Sequence, residues 1–189
     1  AGALGKGFSV VATEVRKLLV QRAAKYLDLL AAEAPANAEV ARDLAEAHER
    51  LADVLGGSGM ANLGDPPAAL AHYRRALAMR EQLASGRPLD LDLQRELAAS
   101  LRKVARAEPD GATALGFARR AVAVATALTT ADPGRPEFLS ELAAAHYTAG
   151  IAQANSGDFA AALASYRAAA EGHQLRLDRA PRDQEALRD

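Results

Sequence analysis

The four histidines come closest to a catalytic or metal-binding set, but their spacing does not form one. No two of them have the His-x-x-x-His spacing that puts two metal ligands on one face of a helix. His48 lies four residues before Ala52, and His146 lies four residues before Gly150. This shared position predicts packing residues rather than metal ligands. The four are His48, His72, His146 and His173.

The other reactive residue types also lack a catalytic arrangement. Many acids stand three or four residues from an arginine, as in Glu46 and Arg50, which is typical of a solvated helix face. Ser58 lies in a glycine-rich turn without the strand–turn–helix context of a hydrolase nucleophile. The chain has no cysteine, which excludes disulfides and thiolate chemistry. We therefore predict that it is not an enzyme and uses no metal and no cofactor.

Composition predicts an all-α protein. Half of the residues are hydrophobic but only 4% are aromatic. Alanine and leucine dominate the apolar set, and both are strong helix formers. The net charge of −1 provides no field that would recruit nucleic acid. No run of apolar residues is long enough to cross a bilayer, so we expect neither nucleic-acid binding nor membrane insertion.

Prolines mark an internal repeat of 53, 45 and 48 residues, which predicts a stacked helical array. The prolines are Pro35, Pro88, Pro133 and Pro181. Twelve residues before each stands an alanine, namely Ala23, Ala76, Ala121 and Ala169. Two residues after them stand Asn37, Asp90, Arg135 and Asp183, and all but the arginine are good helix N-caps.

Each repeat unit has the pattern helix, turn, helix, because apolar residues recur at spacings of three and four between Gly, Pro and Asp breaks. The predicted helices are Glu39–Leu55, Pro66–Ala84, Leu93–Ala107, Ala112–Thr130, Pro136–Asn155 and Phe159–Arg179. We predict units at 35–87, 88–132 and 133–180, with the start of a further unit at 181–189. Residues 10–34 form an unpaired leading helix, and 1–9 an irregular or helical extension. We therefore expect the chain to be part of a longer array.

The third unit resembles the tetratricopeptide repeat consensus. It has the small residue Gly150, the turn Gly157-Asp158 and an Ala–Tyr–Ala pattern around Tyr166. The first unit matches at Gly64-Asp65, Tyr73 and Ala76, with five extra residues in its turn. The resemblance implies a right-handed α-solenoid of antiparallel helix pairs, about seven helices in all. Each proline follows the second helix's last small residue about two turns later than in the tetratricopeptide consensus. The second helices should therefore be elongated to about 18–20 residues.

That elongation, with the insert ending Ala61-Asn62-Leu63-Gly64-Asp65, resembles repeat arrays attached to bacterial serine/threonine protein kinases. The chain itself has no kinase motif. The resemblance implies the regulatory part of a larger bacterial signalling protein. We expect it in the cytoplasm, or alternatively in the extracytoplasmic part of a membrane-anchored kinase.

A second resemblance covers the beginning of the chain. Gly5 to Leu18 is similar to the helical arm beside the hairpin tip of bacterial chemoreceptors. In that family the arm works with an opposite arm and a long coiled coil, and this chain has neither. A plain amphipathic helix leading into the array is the other interpretation.

The tetratricopeptide register implies a concave groove lined by the first helices, which would hold a protein or peptide partner. An acidic end, a basic middle and an apolar–aromatic end would suit a peptide of mixed charge with an apolar anchor. The alternatives are ordinary exposed helix positions, a self-association module that forms a homo-oligomer, and a chemoreceptor-like signalling helix fused to repeats. The groove residues are Glu46, Glu49, Asp53, Ala99, Arg102, Arg106, Ala144, Tyr147, Ile151 and Asn155.

Overall fold

The fold is all-α, as predicted. The computed structural model describes residues 37–56 and 62–179, together with 14–15, 18–20, 22–27 and 29–30, and no strand occurs among these residues. The described residues from 14 to 30, called the leading segment below, are helical. Residues 1–9 and 181–189, and most of the chemoreceptor-like stretch, lie outside the described residues. After the leading segment, the described residues form six helices, α1 (Ala38–Gly56), α2 (Pro66–Gly86), α3 (Leu91–Ala107), α4 (Gly111–Ala131), α5 (Pro136–Asn155) and α6 (Phe159–Arg179).

Helix boundaries follow the local sequence signals closely. α5 and α6 begin and end at the predicted residues, and the other four deviate by at most two residues at either end. Each second helix, α2, α4 and α6, has 21 residues. The predicted elongation is therefore confirmed.

An aspartate starts every second helix in the same way. Its carboxylate accepts a hydrogen bond from the backbone N–H three residues on, at 3.1 Å for Asp65, 2.8 Å for Asp110 and 3.0 Å for Asp158. These bonds satisfy helix N–H groups that have no partner inside the helix. Hydrogen bonds from Thr113 hold the pKa of Asp110 below its ordinary value.

The first helices are capped as predicted in two cases out of three. Asn37 accepts from the N–H of Glu39, and Asp90 accepts from those of Asp92 and Leu93. Arg135 makes no side-chain cap, as its residue type implied. Pro136 follows it in the first turn of α5, where a missing N–H costs nothing. Asp183 lies outside the described residues.

Two glycines let the chain reverse between paired helices. Gly64 has φ of +71° and Gly157 has φ of +80°, a left-handed conformation that suits glycine. In the longer first connection, backbone hydrogen bonds join the residues before Gly64 to the end of α1, from the N–H of Leu63 to the carbonyl of Val54 at 3.0 Å and from the N–H of Asp65 to that of Leu55 at 2.9 Å. The glycine turn and the aspartate cap therefore have the same geometry in the first and third hairpins, although the connection is longer in the first.

Backbone contacts divide the chain into two compact units, Ala1–Leu83 and Ala84–Asp189, with the boundary in the last turn of α2. In the second unit α3 packs on α4, α4 on α5 and α5 on α6, and α3 also contacts α5. Two helical hairpins are thus stacked with their first helices as neighbours, which is the predicted tetratricopeptide-like solenoid arrangement. The division of the sequence into three repeats remains a prediction.

Small residues make the helix contacts. Ala76, Ala121 and Ala169 are buried, in agreement with their equivalent repeat positions, because a methyl side chain allows close helix approach. Ala23 differs, since it is exposed on the leading segment. In the second unit, alanines from α3, α4 and α5 form one cluster, namely Ala105, Ala114, Ala118, Ala149 and Ala152.

Candidate partner-binding surface

The predicted acidic residues lie on α1, in the first unit. Glu46 is exposed, while Glu49 and Asp53 are half-buried. Glu46 pairs with Arg50 one turn later. Asp53 accepts a hydrogen bond from the hydroxyl of Tyr73 on α2 at 2.5 Å. Part of the predicted acidic surface is therefore already engaged by groups of the same hairpin.

Arg102 on α3 is held by Glu141 on α5. Its Nε donates to Oε1 at 2.5 Å and its Nη2 donates to Oε2 at 3.1 Å, so both prongs of the guanidinium are used. The side chains are only 21% and 7% exposed, respectively. Such a two-pronged pair fixes geometry as well as charge. Arg102 was predicted as a partner-binding charge, and the structure shows that it also joins two first helices.

The start of α5 is tied to α3 by a second polar contact. Arg135 donates from Nη2 to Oδ1 of Asp92 at 2.8 Å. The same guanidinium lies 4.4 Å from the ring centroid of Phe138, which is buried. Two polar contacts at different positions along α3 therefore join it to the residues at the start and in the first half of α5.

The apolar–aromatic end of the predicted groove lies on α5. Tyr147 is 54% exposed, and its ring stands 5.7 Å from that of Tyr166 on α6, tilted by 48°. Tyr166 in turn covers Gly150, where a Cβ atom would come within 2.6 Å of its Cε1. Ile151 is half-buried and Asn155 is exposed. The exposed ring of Tyr147 therefore packs against the ring of Tyr166, which itself packs on Gly150.

The structure brings seven of the ten predicted groove residues onto the neighbouring helices α3 and α5 of the second unit. We call this the α3–α5 face. Its predicted members are Ala99, Arg102, Arg106, Ala144, Tyr147, Ile151 and Asn155. Glu46, Glu49 and Asp53 form a separate set on α1 of the first unit.

Sequence reasoning missed Arg95 as a member of this face. Arg95 is half-buried, and its Nε has no hydrogen-bond partner in the described part of the chain. It lies one turn before Ala99 and two turns before Arg102, so the helical period could have included it. With Arg106, which is exposed, Arg95 adds to the positive charge that Arg102 places on α3.

A contact that sequence reasoning did not predict joins His48 of α1 to His72 of α2. The two Nδ1 atoms are 3.0 Å apart, and the ring centroids are 5.2 Å apart with 24° between the ring planes, so the rings meet edge to edge. Both side chains are buried. No group of three or more metal-ligand side chains occurs among the described residues. By contrast, His146 is half-buried, and its burial lowers its pKa.

Comparisons with known proteins do not assign the chain to a family. No protein-family model and no curated protein match it. A solved structure named MamA MSR-1 C2 is similar with 17% sequence identity and a TM-score of 0.47, over 85% of this chain and 71% of that chain. At that TM-score the likeness carries no argument, and the fold stands on the helix contacts above. None of the helices within the described ranges is long and apolar enough to cross a membrane.

Proposed function

We propose that this chain is a protein-interaction scaffold that holds a segment of a partner protein against the α3–α5 face. The observation that carries the proposal is the position of Tyr147, which exposes more than half of its surface while Tyr166 supports its ring. A rigid aromatic ring loses little conformational entropy on binding and offers a large contact area. Ile151 extends this apolar surface by one turn of α5.

The charges beside this anchor define the partner that fits. α3 carries the cationic side chains of Arg95, Arg102 and Arg106. Its neighbour α5 has no Asp, Glu, Lys or Arg residue between Ser140 and Asn155 apart from Glu141, which is bound by Arg102. A partner segment with an apolar side chain for Tyr147 and a carboxylate for α3 would match both properties.

Substitution of Tyr147 tests this proposal. Peptides selected from a phage-displayed library on the wild-type chain serve as ligands, and isothermal titration measures their affinity. Tyr147→Ala should weaken binding at least about tenfold, as expected for an interface aromatic residue. The matched control is Leu163→Ala, which truncates an exposed apolar side chain on α6.

The two variants must also keep the wild-type helix content by circular dichroism. Equal affinity of the wild type and Tyr147→Ala would show that the anchor is misplaced. Equal weakening by Leu163→Ala would show that the selected peptides bind α6 instead.

We further propose that the scaffold is a regulatory part of a larger bacterial signalling protein, attached to a serine/threonine kinase. The 21-residue second helices and the insert ending at Asp65 support this proposal, because both belong to the resemblance with kinase-linked arrays. Kinase activity of the full-length parent, measured with and without Tyr147→Ala, is the test. Unchanged activity and unchanged partner capture would argue against a regulatory role.

Self-association is the second candidate function. α6 exposes four large apolar side chains, and such a surface can pack on a second copy. They are Phe159, Leu163, Leu175 and Leu177. Analytical ultracentrifugation of the wild type and Leu163→Glu distinguishes the two candidates. A concentration-dependent dimer that the variant abolishes supports self-association, whereas a strict monomer rules it out.

A further inference from the structure

The first hairpin contains a buried pair of titratable side chains. His48 of α1 is 1% exposed and His72 of α2 is 7% exposed. Their Nδ1 atoms lie 3.0 Å apart, which is the distance of a direct N–H···N hydrogen bond. One Nδ1 therefore carries a proton and donates it, while the other accepts with its lone pair. The pair consists of two different tautomers.

This geometry limits how many protons the folded hairpin can bind. In the neutral pair the accepting ring must carry its own proton on Nε2, because its Nδ1 lone pair is in use. If both rings became imidazolium, two N–H groups would point at each other across 3.0 Å, and two positive charges would be buried side by side. The folded pair therefore binds fewer protons than two free imidazoles do.

Small apolar residues flank the pair along both helices. One turn before and after each histidine lie buried alanines, namely Ala45 and Ala52 on α1 and Ala69 and Ala76 on α2. The charged and titratable groups of the hairpin nearest in sequence are Glu46, Glu49, Arg50, Asp53, Tyr73, Arg74 and Arg75. Of these, Glu46 pairs with Arg50, and the carboxylate of Asp53 accepts from Tyr73. The described part of the leading segment carries Glu14, Arg22, Lys25 and Tyr26.

The repeat register shows that the fold does not require histidines here. The positions of His48 and His72 correspond to Leu101 and Phe117 in the second repeat. Leu101 is completely buried and Phe117 is packed against the alanine cluster. In the third repeat the corresponding residues are His146 and Ser165. A directly contacting pair of histidines thus occurs only in the first hairpin of the described chain.

We propose that the α1–α2 hairpin is an acid-sensitive element that opens when the His48–His72 pair takes up a second proton. This device is independent of the partner-binding proposal, because it concerns α1 and α2 rather than the α3–α5 face. Opening would also separate Asp53 from Tyr73, so the acidic set on α1 keeps its arrangement only above the imidazole titration range.

The direction of the pH effect follows from proton counting. Free imidazoles in the open hairpin titrate near pH 6.5, and below that pH the open state binds more protons than the closed one. Stability of the hairpin is therefore complete above about pH 7 and falls as the pH falls. Each extra proton bound by the open state lowers the closing equilibrium constant about tenfold per pH unit.

The test replaces the two histidines with the residues found at the equivalent positions of the second repeat, Leu101 and Phe117. Hydrogen–deuterium exchange of α1 and α2 peptides, corrected for intrinsic exchange, gives the opening constant between about pH 5 and 7.5. In the wild type it should rise about tenfold or more per pH unit below about pH 6. The double variant His48→Leu/His72→Phe should show no such rise. His173→Gln, which changes an exposed histidine on α6, should behave like the wild type.

The local readout separates this effect from that of His146, which lies on α5 in the second unit. A pH-independent opening constant in the wild type, or an unchanged pH dependence in the double variant, would overturn the proposal.

A measurement on the wild type covers the case in which the double variant does not fold. Long-range ¹H–¹⁵N correlation spectra at neutral pH distinguish the two imidazole tautomers. His48 and His72 should give one Nδ1–H and one Nε2–H tautomer. Two identical tautomers, or fast exchange of both rings with solvent protons, would show that the hydrogen bond does not exist and would equally overturn the proposal.

Discussion

Arg102 and Glu141 form a two-pronged ion pair that joins the middle of α3 to the first half of α5, with N–O distances of 2.5 and 3.1 Å. The two residues are 39 positions apart in sequence and belong to successive repeats. Because both side chains are largely removed from water, the pair is part of the support of the α3–α5 face as well as of its electrostatics.

Removal of one partner of this pair should destabilise the second unit. Arg102→Ala leaves the buried carboxylate of Glu141 without its counter-charge, and we expect a loss of about 3 kcal/mol in the free energy of unfolding. Urea denaturation followed by circular dichroism measures it. Arg106→Ala, one turn later and exposed, is the control and should cost less than about 1 kcal/mol. Replacement of both partners, Arg102→Met with Glu141→Leu, should recover most of the loss.

Equal destabilisation by Arg102→Ala and Arg106→Ala would mean that the pair contributes nothing beyond a surface charge. The result also decides how ligand binding is tested. If Arg102 has this structural role, a weaker affinity of an Arg102 variant does not by itself identify a ligand contact.

A methyl group at Gly150 should disturb the support of Tyr147. The Cβ atom of Gly150→Ala would lie 2.6 Å from Cε1 of Tyr166, so the ring must move. We expect a cost of about 1–3 kcal/mol in unfolding free energy. Gly116→Ala on α4 is the matched control, because its Cβ atom would meet nothing within 4 Å, and it should instead stabilise by about 0.5–1 kcal/mol. A similar stability change in both variants would contradict the close contact.

A larger side chain at Ala76, one of the repeat-equivalent alanines, should destabilise the fold. Ala76 is fully buried on α2, and Ala76→Leu forces extra methylene groups into a close helix contact. The expected loss is about 1–3 kcal/mol, seen as a lower urea midpoint. Ala169→Leu should act in the same direction on α6. Ala78→Leu, at an exposed position two residues from Ala76, should leave the midpoint almost unchanged, and a loss as large as that of Ala76→Leu would remove the support for the register.

Asp110, the N-cap of α4, should make the free energy of unfolding depend on pH in the acidic range. Hydrogen bonds from Thr113 lower the pKa of Asp110, so the folded chain releases this proton more readily than the unfolded chain. The resulting stabilisation is present above the ordinary value of 3.8 and is lost as the pH falls through the lowered pKa. Asp110→Asn keeps an oxygen acceptor but removes the charge.

The readout is the urea midpoint as a function of pH, from about pH 2 to 5. The Asp110→Asn curve should be flatter than that of the wild type. Asp43→Asn, an exposed carboxylate change within α1, is the matched control. Curves of equal steepness for the wild type and Asp110→Asn would show that the charge of the cap is not involved.

Local chemistry in the sequence determined where the helices begin and end. Asn37 and Asp90 were predicted as caps and accept the expected N–H bonds, and the late prolines correctly predicted elongated second helices. These features depend on residues within one or two turns of each other, which is the range over which backbone hydrogen bonding and proline exclusion act. For the same reason, the small residues at Ala76, Ala121 and Ala169 could be placed in register before any contact was known.

Tertiary structure alone decided which side chains meet. His48 and His72 are 24 residues apart, and neither their spacing nor their types indicated a direct contact. The pairing of Arg102 with Glu141 and the position of Tyr166 over Gly150 depend on how far successive helices are rotated and how closely they approach. A helical period fixes the direction of a side chain on its own helix but not the partner it meets on the next. The sequence therefore determined the helices and the candidate faces, whereas packing decided that Arg102 supports the surface, that Tyr147 is exposed on it, and that two histidines share a proton.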